Sequence, residues 1–284
     1  MRLMKNRALD FEMGIGWRPE LALSIARNAE IDFVEVVAEN ISPDRIPLAL
    51  EQLGERGVKI VPHGVSLSLG GAELPCSKRL SQLARLAEKL DAPMVSEHVA
   101  FVRAGGIEAG HLLPLARTHE ALDVLVENIT EAKRALPVPL ALENIATLFE
   151  WPHAEMDEAT FLAEALRRTD TLLLLDVSNL YANACNHNWN AIEFLDRLPL
   201  DRLAYVHIAG GITKAGLYHD THAHKIPAGA LDMLEELCAR VDIPGVMLER
   251  DDHFPQESEL VAEMCAIAEA RRRGARRRES VYAY

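Results

Sequence analysis

The sequence predicts an α/β protein, a single-domain (β/α)8 barrel. Three observations predict it. Eight short apolar or β-branched runs alternate with longer segments of helical period, the pattern of βα units around a parallel sheet. The length of 284 residues is that of one such barrel. The connections, among them LPVP, RVDIPG and AGGI, are short Pro- and Gly-containing segments, with no linker long enough to divide the chain. Residues 1–284 are therefore expected to form one domain; a doubly wound open sheet is the competing topology.

In chain order the candidate strands are FEMGIGW (11–17), FVEVVAE (33–39), VKIVPHG (58–64), PMVSEHVA (93–100), PLALENI (139–145), TLLLLDVSN (171–179), LAYVHIAG (203–210) and GVMLERD (245–251). Between them PELALSIARNAE, CSKRLSQLARLAEKLD, THEALDVLVENITEAKRAL and DEATFLAEALRRTD carry apolar residues at three-and-four spacing, which builds one buried face on a helix. FVRAGGIEAGHLLPLAR (101–117) follows the fourth strand and reads as a lid over the barrel mouth. The run RRRGARRRES (271–280) reads as a solvated helix end, and residues 271–284 as a basic, flexible C-terminal tail.

Composition narrows the function. Hydrophobic residues at 49% and charged residues at 26% describe a soluble globular chain rather than a disordered or membrane one. No apolar run approaches the ~20 residues that span a bilayer, and the N-terminus lacks the apolar stretch of a signal peptide, so a cytoplasmic location is expected. Cys76, Cys185, Cys238 and Cys265 are scattered, without the pairing of a zinc cage or a disulfide framework. A formal net charge of −13 argues against general affinity for nucleic acid or anionic lipid.

The strand ends carry the chemistry. They read Glu39 and Asn40, His63, Glu97 and His98, Glu143 and Asn144, Asp176 and Asn179, His207, and Glu249 with Asp251. In a barrel these ends converge on one face, where active sites form. Asp176 closes a run of four leucines with nothing nearby in sequence to neutralise it, and a buried lone carboxylate is costly. Imidazoles and carboxylates together suit divalent iron, manganese or zinc. Asp220 and His222, at i and i+2, share one side of an extended segment and so chelate one ion; His224 has the same phase. The set His63, His98, Glu143, Asp176, Asn179, His207, Asp220, His222 and Glu249 is too large for one ion, which takes three or four protein ligands. Two or three ions follow, with Glu143 as the bridge. His111, His119, His153 and His253 lie off the pattern as surface or helix residues, and His187 and His224 stay unassigned.

The motifs GIGWRPEL, HGVSLSLGG, SEHVAF, LLPLARTHEAL, LENIATLFEW, LLLLDVSNLYANACNHN, YVHIAGG, DTHAHKI and VMLERDDHFP run from about residue 14 to 255. Together they resemble the multinuclear non-heme iron-dependent oxidases, TIM-barrel enzymes that modify ribosomally made peptides and include the methanobactin maturase. The resemblance implies one metal among Glu143, Asp176, His207 and Glu249, a second at His63, His98 and the shared Glu143, and a third at Asn179, Asp220 and His222. It implies two or three iron ions, mixed Fe(II)/Fe(III), with dioxygen as co-substrate and a peptide residue, commonly Cys, as the group oxidised. It also implies a precursor peptide and a separate protein that grips its leader. Many members carry a His directly after the AG of the seventh-strand motif, where this chain has Gly211, and His224 is an additional imidazole.

Two rival readings differ in class. The same layout resembles endonuclease IV and xylose-isomerase-like barrels, divalent-metal hydrolases or sugar isomerases; Asn179 stands where the nuclease has an imidazole, and the acidic charge also opposes it. The other rival is a metal-binding or partner-dependent barrel without catalysis.

Overall fold

The computed structural model describes residues 11–282; the first ten residues, part of the N-terminal stretch that lacks the apolar run of a signal peptide, and the last two lie outside it. Eight parallel strands close into a barrel: β1 (Met13–Gly16), β2 (Phe33–Val37), β3 (Lys59–Gly64), β4 (Val95–His98), β7 (Leu140–Glu143), β8 (Leu172–Asp176), β9 (Leu203–Ile208) and β12 (Val246–Leu248). All eight fall within the segments read as strands, and the pairing of β1 with β12 closes the sheet, which excludes the open-sheet alternative. Two antiparallel hairpins are inserted after barrel strands: β5 (Phe101–Ala104) with β6 (Ile107–Leu113), and β10 (Ile212–Lys214) with β11 (Leu217–His219).

Helices α1 (Ala22–Arg27), α2 (Leu48–Glu55), α3 (Ser77–Lys89), α4 (His119–Ala135), α5 (Glu158–Thr169), α6 (Val177–His187), α7 (Ala191–Arg197), α8 (Ala228–Arg240) and α9 (Glu257–Tyr282) supply the outer layer. Capping starts several of them: Thr118 accepts from Ala121 N at the head of α4, and Asp157 from Thr160 N at the head of α5. Their apolar stripes and the outward strand residues form the main core, from Ile15 and Val34 through Leu142 and Leu175 to Leu248.

A second, smaller core fills the barrel interior with Phe33, Val61, Met94, Ala141, Leu174, Tyr205 and Met247, capped below by Phe11. Side chains two residues apart on a strand share a face. Two residues after each of these stands Glu35, His63, Ser96, Glu143, Asp176, His207 or Glu249, and all seven are buried. One turn of alternation thus places a polar layer on top of an apolar one.

Where the sequence reading expects a basic, flexible tail, the described residues form a helix. Residues 271–282 continue α9, a 26-residue helix whose strongest packing partner is α8. Arg273 and Arg277 pair with Glu235, Arg277 also with Glu236, and Arg278 binds Asp242 and the carbonyl of Cys238. Basic side chains complement the carboxylates of α8, which lie far away in sequence. Buried Arg250 and Glu263 lock the same helix to the end of β12, with Arg250 Nε 3.1 Å from Glu263 Oε2. All four cysteines are free. Among the described residues, no helix is long and apolar enough to cross a membrane.

Candidate metal centre

Glu143, at the end of β7, lies at the middle of the polar layer. Its Oε2 is 3.4 Å from both His63 Nε2 and His98 Nε2, and its Oε1 is 3.3 Å from His207 Nδ1. One carboxylate therefore faces two separate imidazole groups, one oxygen to each. His63 and His98, from β3 and β4, bring their Nε2 atoms within 3.3 Å of each other. Glu249 sits past the end of β12, with Oε2 3.4 Å from His207 Nδ1 and 3.4 Å from His222 Nδ1.

Asp176 explains how a leucine run ends in a charge. Its Oδ1 accepts from Ser178 N (2.6 Å) and Asn179 N (2.8 Å), capping the first turn of α6. Its Oδ2 is buried without a hydrogen-bond partner. Asn144 clasps the same strand, donating to Asp176 O (3.0 Å) and accepting from Asp176 N (2.9 Å). Asn179 Nδ2 is committed to Asn144 O (2.9 Å), which leaves Oδ1 as its remaining donor atom for a cation.

Among the described residues, close sets of ligand atoms are His63 with His98 and Glu143, Glu143 with Asp176 and His207, Asp176 with His222 and Glu249, and Glu35 with His207 and Glu249. Asp220 joins through His222, whose Nε2 lies 3.4 Å from Asp220 Oδ2. The two meet without the extended segment expected from their spacing: His222 has φ 51°, so a left-handed turn brings the side chains together.

The electrostatics follow from crowding. Burial pushes the Asp176 carboxyl up to about 8, helped by the nearby charges of Asp220 and Glu143. Burial opposes charge on Glu143 as well, but His207 and His98 outweigh it and hold that carboxyl below its usual range. Burial disfavours the charged form of His98, yet Glu143 and Glu97 draw it up to about 9. His207 and His222 are raised and Glu249 is lowered by the same mutual attraction, against burial. Protons on imidazoles are here balancing carboxylates, a role that a metal ion takes over by displacing them.

The donor set fits metal ions. Glu143 Oε2, Asp176 Oδ2, His207 Nδ1 and both Asp220 carboxylate oxygens are buried without hydrogen-bond partners. Buried polar atoms are normally satisfied, and cations meeting these atoms would satisfy them.

Several residues stand elsewhere than expected. Glu39 and Asn40 are exposed in a turn beyond β2, where Glu39 accepts from Val65 N; the carboxylate that β2 contributes is Glu35. Glu35 Oε2 is 2.9 Å from His207 Nε2 and also accepts from the Tyr205 hydroxyl. A charge inside the apolar run FVEVV was the signal for it. His187 serves structure, bonding Thr147 Oγ1 at 2.8 Å, and His224 bonds Thr221 Oγ1 at 2.8 Å. His111, expected at an ordinary surface, lines the mouth of the site. Gly211 has a steric reason: a Cβ there would lie 2.1 Å from His219 O, where the second hairpin closes over the strand end.

The centre opens into a cleft of about 540 Å³ lined by His63, His98, Glu143, Asn179, Asp220, His222 and Glu249 at its floor. Leu113, Leu148, Phe149 and Tyr218 form an apolar wall, and Arg18, bonded to Asp251, stands at the edge.

A family model described as RiPP precursor modification enzyme MbnB/TglH/ChrH matches residues 12–272. A UPF0276 protein of Streptomyces avermitilis is 52% identical over 261 residues, covering 89% of this chain and 54% of the relative, so the chain spans about half of that relative's length. A UPF0276 protein of Caulobacter vibrioides is 35% identical over 268 residues, covering 93% of this chain and 95% of the relative. Among solved structures, L-ribulose 3-epimerase aligns with a TM-score of 0.64 at 16% identity, covering 95% of this chain and 98% of that one. Endonuclease IV from Thermus thermophilus aligns with a TM-score of 0.60 at 19% identity, covering 91% and 99%. At such identities the structural likeness speaks for the xylose-isomerase-like barrel fold alone.

Proposed function

Because this chain belongs to the MbnB/TglH/ChrH family of RiPP precursor modification enzymes, we propose that it is an iron- and dioxygen-dependent oxidase acting on a Cys residue of a ribosomally synthesised precursor peptide. The observation that carries this reading is the shared carboxylate of Glu143, whose two oxygens face two imidazole groups. Glu143, Asp176, His207 and Glu249 would hold one iron, His63, His98 and Glu143 a second, and Asn179, Asp220 and His222 a third. Iron bound there would activate dioxygen, which is the oxidant for the peptide residue.

The chain's own residues do the rest. The apolar wall of Leu113, Leu148, Phe149 and Tyr218 offers a peptide side chain an apolar surface beside the centre. The rim residues Leu148, Phe149 and Trp151 are 48%, 43% and 41% exposed, enough apolar surface to hold an extended segment entering the cleft. A separate leader-recognition protein and a cytoplasmic location complete the proposal.

The test is co-expression with a Cys-containing precursor peptide, read as a mass shift, together with iron content of protein purified without oxygen. Two or more irons per chain and a shifted peptide are expected. Glu143→Ala and Asp176→Ala should lose iron and turnover while circular dichroism stays native, and full activity in either would overturn the assignment. Zinc alone, retained despite added iron, would favour the hydrolase or isomerase reading. Full-rate modification of a leaderless peptide by the purified enzyme would remove the partner.

A further inference from the structure

Beneath the ligands runs a buried hydrogen-bonded path that joins the two imidazole groups. His63 Nδ1 lies 2.8 Å from Ser96 Oγ, Ser96 Oγ lies 2.9 Å from Tyr205 Oη, the Tyr205 hydroxyl bonds Glu35 Oε2, and the same oxygen lies 2.9 Å from His207 Nε2. All five residues are buried, with Ser96, Tyr205 and His207 fully enclosed. They come from four strands, β2, β3, β4 and β9.

The direction of each bond follows from what each group can give. An ionised carboxylate only accepts, so Tyr205 donates its single hydroxyl proton to Glu35. Tyr205 Oη must then accept, and Ser96 donates to it. Ser96, its proton spent, accepts from His63, which fixes the proton of that ring on Nδ1. His63 Nε2 is left bare, and it is the nitrogen that faces His98 and Glu143. At the other end His207 gives its Nε2 proton to Glu35, so the nitrogen left for a metal to take is Nδ1, toward Glu143 and Glu249. The two rings are thus held in opposite tautomers by one carboxylate. Glu35 also has ligand atoms close to those of His207 and Glu249, but its Oε2 meets His207 at Nε2, opposite the Nδ1 that faces Glu143 and Glu249, and its Oε1 stands 3.9 Å behind His63 Nδ1, so it acts from behind both rings.

We propose that Glu35 is a positioning residue for both halves of the centre, dictating directly that His207 presents Nδ1 and, through Tyr205 and Ser96, that His63 presents Nε2. This rests on the metal-centre reading above. It makes an unequal prediction for three side chains: breaking the path at Tyr205 or Ser96 releases His63 only, whereas breaking it at Glu35 releases both rings. Removing such outer partners typically weakens metal binding by about 10–100-fold.

The experiment uses the full chain loaded with zinc, a diamagnetic probe, with ¹⁵N-labelled histidine. Long-range proton–nitrogen spectra should show His63 protonated at Nδ1 and His207 at Nε2. In competition titrations Y205F and S96A should weaken one zinc site by ~10-fold or more and leave the other as in the wild type, while E35Q weakens both. S96A removes only one oxygen and keeps the inference testable should Y205F or E35Q unfold. A proton on the other nitrogen of either ring in the wild type, equal loss at both sites in S96A, or no loss in any folded variant would overturn the inference and leave the metal reading standing. A wild-type chain that takes up neither zinc nor iron would instead end the metal reading, and this inference with it.

Discussion

Oδ1 of Asp176 caps α6 while Oδ2 faces the cluster without a partner, so one side chain stabilises a helix and strains the fold at the same time. The two effects are separable. Asn caps a helix as well as Asp does but carries no charge. Burial raises the folded-state Asp176 carboxyl from 3.8 to about 8, so the folded chain holds a proton that the unfolded chain has released. The contribution of Asp176 to the stability of the metal-free protein is therefore fully present below the unfolded value and is lost as pH rises from about 4 to about 8. Asp176→Asn should abolish that decline: at pH 8 the metal-free variant should melt higher than the wild type by at least ~1 kcal/mol, or roughly 2–4 °C for a chain of this size. The same variant should bind metal poorly at every pH. Equal melting temperatures at pH 8 would show that the carboxylate is not held against its charge.

At the scale of elements, the barrel and its site were legible to different depths. Strand ends announced themselves because apolar runs break into His, Asp or Glu where the chain leaves the barrel, as at His98, Glu143 and Asp176. Glu35 gave a weaker sign, since it lies within β2 between Val34 and Val36 and its partners are Tyr205 and His207, some 170 residues away. The mutual fit of Asp220 and His222 was legible, but the turn that creates it was not, because left-handed φ at a His is imposed by the surrounding chain rather than by the residue. Helix α9 was read only in part. Its arginines signalled a helix end, while their carboxylate partners in α8 could be found only in the fold. Not every pair on α9 matters equally. Glu263 accepts from Arg250 and from Ile226 N, and both charges are buried. Glu263→Ala would leave a buried guanidinium with only the half-exposed Glu259 carboxylate 3.9 Å away and should cost about 3–5 kcal/mol in urea unfolding. Arg277→Ala removes pairs to Glu235 and Glu236 from a half-exposed side chain and should cost ~1 kcal/mol or less. Similar losses in the two variants would mean that α9 is held by its surface charges instead.

For the molecule as a whole, the barrel does not choose among chemistries, since an epimerase and a nuclease share it at 16% and 19% identity. Charge distinguishes what the fold does not. A duplex is bound largely through its phosphates, which needs lysines and arginines turned outward on one face. This chain carries a formal net charge of −13, and its densest basic run is engaged within the molecule: Arg271 binds Glu12 O and Ile243 O, Arg272 binds Glu269, Arg273 binds Glu235, and Arg278 binds Asp242. The floor of the cleft adds carboxylates from Glu143, Asp220 and Glu249, which repel a phosphodiester unless cations screen them. Abasic duplex DNA should accordingly bind no tighter than ~1 μM at physiological salt, the range of non-specific association, by fluorescence anisotropy. Adding zinc to the same mixture should produce no strand scission on a denaturing gel. A zinc-dependent nick that disappears in Glu143→Ala would place the chemistry with the nuclease, and the acidic surface would then have to be a feature that the substrate tolerates rather than one that turns it away.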